Sequence, residues 1–242
     1  MNMIKNIILS MSLVISVIIG LTGCDEETTD GFTSVTYYAA LEMQGDETVY
    51  VNLGDNYEDA GCTAVMQGED VTDQIIVESN VNTSVGGEYT INYNISNVDG
   101  FSSSASRTVY VFDTTPSVIS NGFYTVQDGT NRIYTDDDGV ATKTDFSGYM
   151  LLIYQVSPGV FSISDFIGGY YAQFKDYGSD YAMTGTFQLN EDNTITPLSS
   201  LVPGWGDSLD YLKDSSVDPS TGEITYDLGY ASSMNFHVIL KL

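Results

Sequence analysis

Thirty-three carboxylates, one histidine and two cysteines bound the chemistry open to this 242-residue chain. Glycoside hydrolysis needs two carboxyl groups about 5 to 9 Å apart. With so many acids such spacings arise by chance, and nothing marks one pair. His237 is the only histidine, so neither a Ser-His-Asp relay nor a histidine metal cluster can be assembled. It falls in a predicted terminal strand and reads as a side chain on the wet face. No glycine-rich phosphate loop stands between a strand and a helix. Asp136-Asp137-Asp138-Gly139, with Asp128 nearby, invites a calcium reading, because hard cations gather several oxygens. The spacing departs from the twelve-residue calcium loop, and Asp-Gly between strands is itself a turn signal. A hairpin turn is the expectation. No catalytic residue, metal ligand or cofactor is assigned.

Aromatic side chains offer a different chemistry. Carbohydrate recognition lays flat rings against the apolar faces of sugars while carboxylates and amides bond the hydroxyls. Trp205, the only tryptophan, sits in the glycine-rich loop Pro203-Gly204-Trp205-Gly206-Asp207, and Tyr170, Tyr171, Tyr177 and Tyr181 cluster upstream. If exposed, these five rings form a contiguous patch of the kind that marks an interaction site. With Asp207 they are the candidate ligand-binding residues. The competing reading has Trp205 plugging one end of a barrel and the tyrosines filling core and strand faces.

The N-terminus supplies an address. Lys5 precedes an apolar run from Ile7 to Leu21, shorter than the roughly twenty residues that span a bilayer, as in a signal peptide. It ends in Leu21-Thr22-Gly23-Cys24, which looks like a lipobox: small residues before a cysteine whose thiol receives diacylglycerol. Residues 1–23 read as a leader and 24–34 as a tether. Each buried methylene contributes about 0.8 kcal/mol, so two or more acyl chains hold a protein on its membrane. Asp25-Glu26-Glu27 resembles the export signal of Bacteroidetes surface lipoproteins, which implies the outer face of the outer membrane.

Without its leader the chain carries 33 acids against 6 Lys and Arg, a formal charge of −27. Phosphate backbones are bound by neutralising Lys and Arg, so nucleic acid is excluded as a partner. With Cys24 consumed by lipid, Cys62 is alone and no intrachain disulfide forms; a small buried apolar role is expected.

These residues need β-structure to position them. Tyr89, Ile91, Tyr93 and Ile95 alternate with polar residues, as do Val49, Val51 and Leu53, and turns at Gly45-Asp46, Gly86-Gly87 and Asp99-Gly100 separate the runs. Short strands at this spacing indicate a β-sandwich over residues 35–113. Gly54, Tyr57, Asp59-Ala60-Gly61, Asp70-Val71-Thr72, Gly87-Glu88-Tyr89-Thr90, Tyr93 and Arg107-Thr108-Val109 resemble the bacterial Ig-like domain first noted in pesticidal crystal proteins. That resemblance implies a spacer or adhesive module without chemistry.

Thr114-Thr115-Pro116-Ser117 reads as a linker to a second domain, 117–242. Strands are expected at 122–126, 131–134, 149–156, 160–164, 170–174, 182–189, 223–230 and 235–242, with Tyr149 to Tyr154, apolar on both faces, as a central strand. The best helical candidate is Ser208 to Lys213. The fold class is all-β: an Ig-like sandwich followed by a second antiparallel sandwich or barrel-like domain. Asn97-Val98-Asp99-Gly100-Phe101, Ile167-Gly168-Gly169-Tyr170-Tyr171, Gly204-Trp205-Gly206-Asp207 and Met234-Asn235-Phe236 carry a resemblance to Bacteroidetes lipoproteins of uncharacterised function. It implies a role beside an outer-membrane glycan-uptake system. The expectation is a non-catalytic surface lipoprotein binding a polysaccharide or oligosaccharide; the alternative is an adhesion or structural lipoprotein that contacts protein, such as a transporter complex.

Overall fold

In a computed structural model of the protein, residues 35–242 are described. The leader, the tether and Cys24 lie outside them. Residues 38–242 form one compact unit, built almost wholly from strands, as the period-two alternation requires.

The first sheets hold β1 (Ala40–Met43), β2 (Thr48–Asn52), β3 (Cys62–Met66), β4 (Glu69–Asp70), β5 (Ile76–Ser79), β6 (Gly87–Ser96) and β7 (Ser102–Phe112). One sheet runs β1-β3-β4 and the other β2-β7-β6-β5. Their inner faces close on Cys62, Ile91, Tyr93 and Val109, so Cys62 is a buried free thiol in a small apolar niche. Arg107, 1% exposed, would be costly there unpaired. It is ion-paired to Asp59, donates from Nε to the Asp46 carbonyl at 2.9 Å and from Nη1 to the Tyr93 hydroxyl at 3.1 Å. Tyr93 in turn donates to Asp59 Oδ2 at 2.7 Å.

A single ten-stranded sheet makes up the rest. Its strands are β8 (Gly122–Val126), β9 (Asn131–Thr135), β10 (Ala141–Asp145), β11 (Met150–Ser157), β12 (Val160–Ile163), β13 (Thr184–Leu189), β14 (Ile195–Leu201), β15 (Leu209–Val217), β16 (Ile224–Tyr230) and β17 (Met234–Lys241). The path β10-β9-β17-β8-β11-β12-β13-β14 is extended by β16, which pairs with β17 and β15. Curling brings Tyr124, Ile153, Phe161, Phe187, Tyr226, Phe236 and Val238 into one core. β11 is central, flanked by β8 and β12, and buries five successive residues. Asp136 turns the β9–β10 hairpin, its Oδ1 accepting the N–H groups of Asp138 at 3.1 Å and Val140 at 2.8 Å.

Two expectations fail. Tyr170–Phe174 is a π-helical turn and not a strand: Gly168 and Gly169 take left-handed φ of 70° and 78°, a region open to glycine, and turn the chain back on itself. Ser208 to Lys213 is not helical but the start of β15. Register shifts between Leu209 and Tyr211 and between Lys213 and Ser216 bring Leu209 and Leu212 inward together, which mimics a helical spacing in the sequence.

The outer face of β11 packs on β7. Tyr154 meets Phe112 at 4.9 Å and Tyr110 at 5.5 Å between ring centroids, and the Asp113 N–H donates to the Gln155 carbonyl at 2.7 Å. A Cβ at Gly86 would lie 2.2 Å from the Val156 carbonyl oxygen.

Candidate functional site

The predicted aromatic residues converge at one end of the ten-stranded sheet. Trp205 is 44% exposed and Tyr177 54%. Tyr181 meets Trp205 at 4.9 Å, Tyr171 meets it edge-on at 4.8 Å, and Tyr177 lies 6.3 Å away. Tyr177, Tyr181 and Trp205 line an open dish of about 330 Å³. Edge-to-face pairs of this kind contribute roughly 0.5–1.5 kcal/mol each beyond burial, so the rings hold one another in place.

Two short segments position them. The loop carrying Trp205 is closed by the Val202 N–H donating to the Asp207 carbonyl at 2.8 Å and by the N–H groups of Trp205 and Gly206 on the Val202 carbonyl. Gly204 lets this loop lie flat: its N–H donates to the Asp180 carbonyl at 2.7 Å, and a Cβ there would reach within 2.8 Å of the Tyr181 ring. The tyrosines come from the π-helical turn and the 3₁₀ turn Ser179–Tyr181. Both are pinned from beneath by Asp165, fully enclosed, which accepts the N–H groups of Ile167 and Met183 on Oδ1 at 3.0 Å and of Gly169 on Oδ2 at 3.1 Å. Burial pushes this carboxyl up to about 7, against those three donors that favour its charged form.

Tyr170 departs from the surface role expected of it. Only 1% exposed, it lies under the patch and packs on Phe146, Phe174 and Phe236. Tyr171 is half-buried and donates to Met234 Sδ at 2.9 Å. Asp207 is exposed, and its Oδ1 accepts the Tyr230 hydroxyl at 2.8 Å. Tyr230 is the residue that sequence reasoning missed: buried, it stacks under Trp205 at 6.4 Å and 26°. Burial, and then its bond to Asp207, raise the Tyr230 phenol above its ordinary value. Its place in an alternating strand reads as plain core.

Other surfaces have different chemistry. A groove of about 490 Å³ between Gln127, Asp128, Ser147, Glu223 and Lys241 is polar and holds no ring. His237 pairs through Nδ1 with Asp227 at 2.6 Å on the outer sheet face. Among the described residues no group of three or more His, Cys, Asp or Glu is arranged to hold a metal.

Known proteins match this architecture. A family model for a C-terminal domain matches residues 113–242, and one for the Ig-like domain of bacterial surface proteins matches residues 41–111. The crystal structure of the lipoprotein BT2262 from Bacteroides thetaiotaomicron is 42% identical, covers 85% of this chain and 100% of its own, and superposes with a TM-score of 0.70. Two structures from Bacteroides ovatus are far weaker likenesses. One, of unknown function, has 12% identity, covers 85% of this chain and 94% of its own, and scores 0.37. The other, a multidomain protein including DUF1735, has 14% identity, the same coverage and a score of 0.36. No curated protein gives a significant match.

Proposed function

The chain belongs to the family of the Bacteroides lipoprotein BT2262, and on that footing we propose that it is a non-catalytic lipoprotein held on the outer surface of the outer membrane by acyl chains at Cys24, binding a glycan through its C-terminal domain. Trp205, Tyr177 and Tyr181 are the contact rings, Tyr171 braces them, and Asp207 offers its free oxygen to a sugar hydroxyl. Tyr170 supports the site from below. The observation that carries this reading is the exposed, preorganised ring set around Trp205, open enough to accept a chain from the side. Rings held rigid by their neighbours lose little entropy when a ligand stacks on them. In chain order the Ig-like module follows Cys24 and precedes the binding domain, as a spacer does.

Soluble residues 25–242 are expected to be retarded in native gels containing the matching polysaccharide and to run freely without it. No retardation across a broad panel of polysaccharides would sink the reading.

A protein-binding role is the second reading, favoured by a separate apolar strip beside the domain junction. Tyr50 and Phe123, both about half exposed, meet there edge-on at 6.5 Å. Co-purification with an outer-membrane complex, without glycan retention, would point to it.

A further inference from the structure

Cations are scarce in this chain, and three of the six Lys and Arg side chains described are ion-paired. Arg107 is neutralised by Asp59 inside the Ig-like module, Lys143 pairs with Asp145, and Lys213 with Asp214. Arg132, Lys175 and Lys241 are not ion-paired. Among the described residues neither Arg132 nor Lys175 has a carboxylate within salt-bridge reach, and both come to the Tyr170 ring, Lys175 lying also over Phe174 at 4.9 Å. The Arg132 guanidinium lies 5.1 Å from the centroid of the Tyr170 ring and the Lys175 ammonium 5.5 Å from it. They arrive from unrelated elements, β9 and the end of the π-helical turn. Two positive groups drawn to one ring repel each other, and in a protein with 33 acids the absence of any counter-charge calls for an explanation.

Arg132 is also under-used. Its Nη1 donates to the Tyr170 hydroxyl at 3.1 Å, its Nε is buried with no partner, and a second ring, that of Tyr134, lies 5.0 Å from its Cζ. A guanidinium held near two rings, with N–H groups left over, is positioned to take a planar carboxylate. Its location ties it to the dish: Tyr170 contacts Tyr171 at 5.0 Å, and Tyr171 contacts Trp205.

We propose that Arg132 and Lys175 form an anion subsite continuous with the aromatic dish, so that the ligand is an acidic oligosaccharide of the uronic-acid class, its sugar faces on Trp205 and a carboxylate on the two cations. This rests on the glycan-binding reading and narrows it. Asp207 at the dish and the acids beyond it oppose such a ligand; those farther than about 10 Å are screened at ordinary salt, and the two cations act at contact.

The test uses the full lipidated protein in detergent and uronic-acid oligosaccharides, each beside its carboxyl-reduced counterpart of the same linkage. Calorimetry is expected to show at least tenfold tighter binding of the acidic form. In the double variant Arg132→Gln with Lys175→Gln that preference disappears while the carboxyl-reduced sugar binds as before. Lys175→Gln alone, at an exposed position, gives a partial loss and serves if the double variant misfolds. Equal binding of acidic and reduced sugars, still abolished by Trp205→Ala, would overturn the anion subsite and leave glycan binding standing. No binding of either sugar, or binding only of carboxylate-bearing peptides, would overturn both.

Discussion

The ring of Tyr171 stands edge-on to Trp205, centroids 4.8 Å apart and planes at 88°, while its hydroxyl reaches the other way to Met234 Sδ. This one side chain therefore ties the π-helical turn to the Trp205 loop and both to β17. Tyr171→Ala removes that brace. It is expected to cost roughly 2–3 kcal/mol, below the range for a fully buried aromatic because the ring is half-exposed, and to flatten the near-ultraviolet signal of the tryptophan. Tyr171→Phe keeps the ring and should retain that signal. Equal behaviour of the two variants would count against a bracing role.

Asp165 makes the platform sensitive to pH. Its carboxyl sits at about 7 in the folded chain against an ordinary value of 3.8, so between those values the folded state holds a proton that the unfolded state has released. Stability from this group is full below about pH 4 and is lost as pH rises through 7, by at most about 4 kcal/mol. Asp165→Asn cannot titrate. The stability gap between wild type and variant, from urea midpoints, should narrow from pH 4 to pH 7.5. A gap that widens over that range would mean the three N–H donors outweigh burial.

The junction between the Ig-like module and the ten-stranded sheet is a backbone contact as much as an aromatic one. Gly86→Ala would drive a Cβ into the Val156 carbonyl at 2.2 Å, an overpacking worth roughly 1–3 kcal/mol. Wild type is expected to melt in one transition. The variant should show two, with new proteolytic cleavage in 113–117. A single unshifted transition would show that the contact does not couple the modules.

How far the sequence could be read follows from where the period of two survives. β16 and β17 alternate along nearly their whole length, with Ile239 the one apolar residue out of phase, and their register of Ile224 opposite Leu240 through Tyr230 opposite Met234 keeps the inward residues in phase. β15 carries two bulges that break the phase, and so reads as helix. β14 contains Pro197, which demotes a strand on sequence grounds; here it stands at a register shift opposite Phe187, where a missing N–H is tolerated. β10, all polar or small and mostly exposed, is an edge strand with no apolar rhythm to detect. In the site, proximity along the chain was enough to group Tyr170, Tyr171, Tyr177 and Tyr181 with a nearby tryptophan loop. Which tyrosine is buried was set by Gly168, Gly169 and Asp165, through a turn type that no spacing announces. Arg132 and Tyr230 join the site only because the sheet curls, a long-range event with no local mark.

Trp205 is the only tryptophan in the chain, which lets the central claim be read from its own fluorescence. On titration with the bound oligosaccharide its emission should shift to the blue and become shielded from acrylamide quenching, with a midpoint equal to the calorimetric dissociation constant. Emission and quenching left unchanged while calorimetry reports saturation would place the ligand elsewhere and contradict the account.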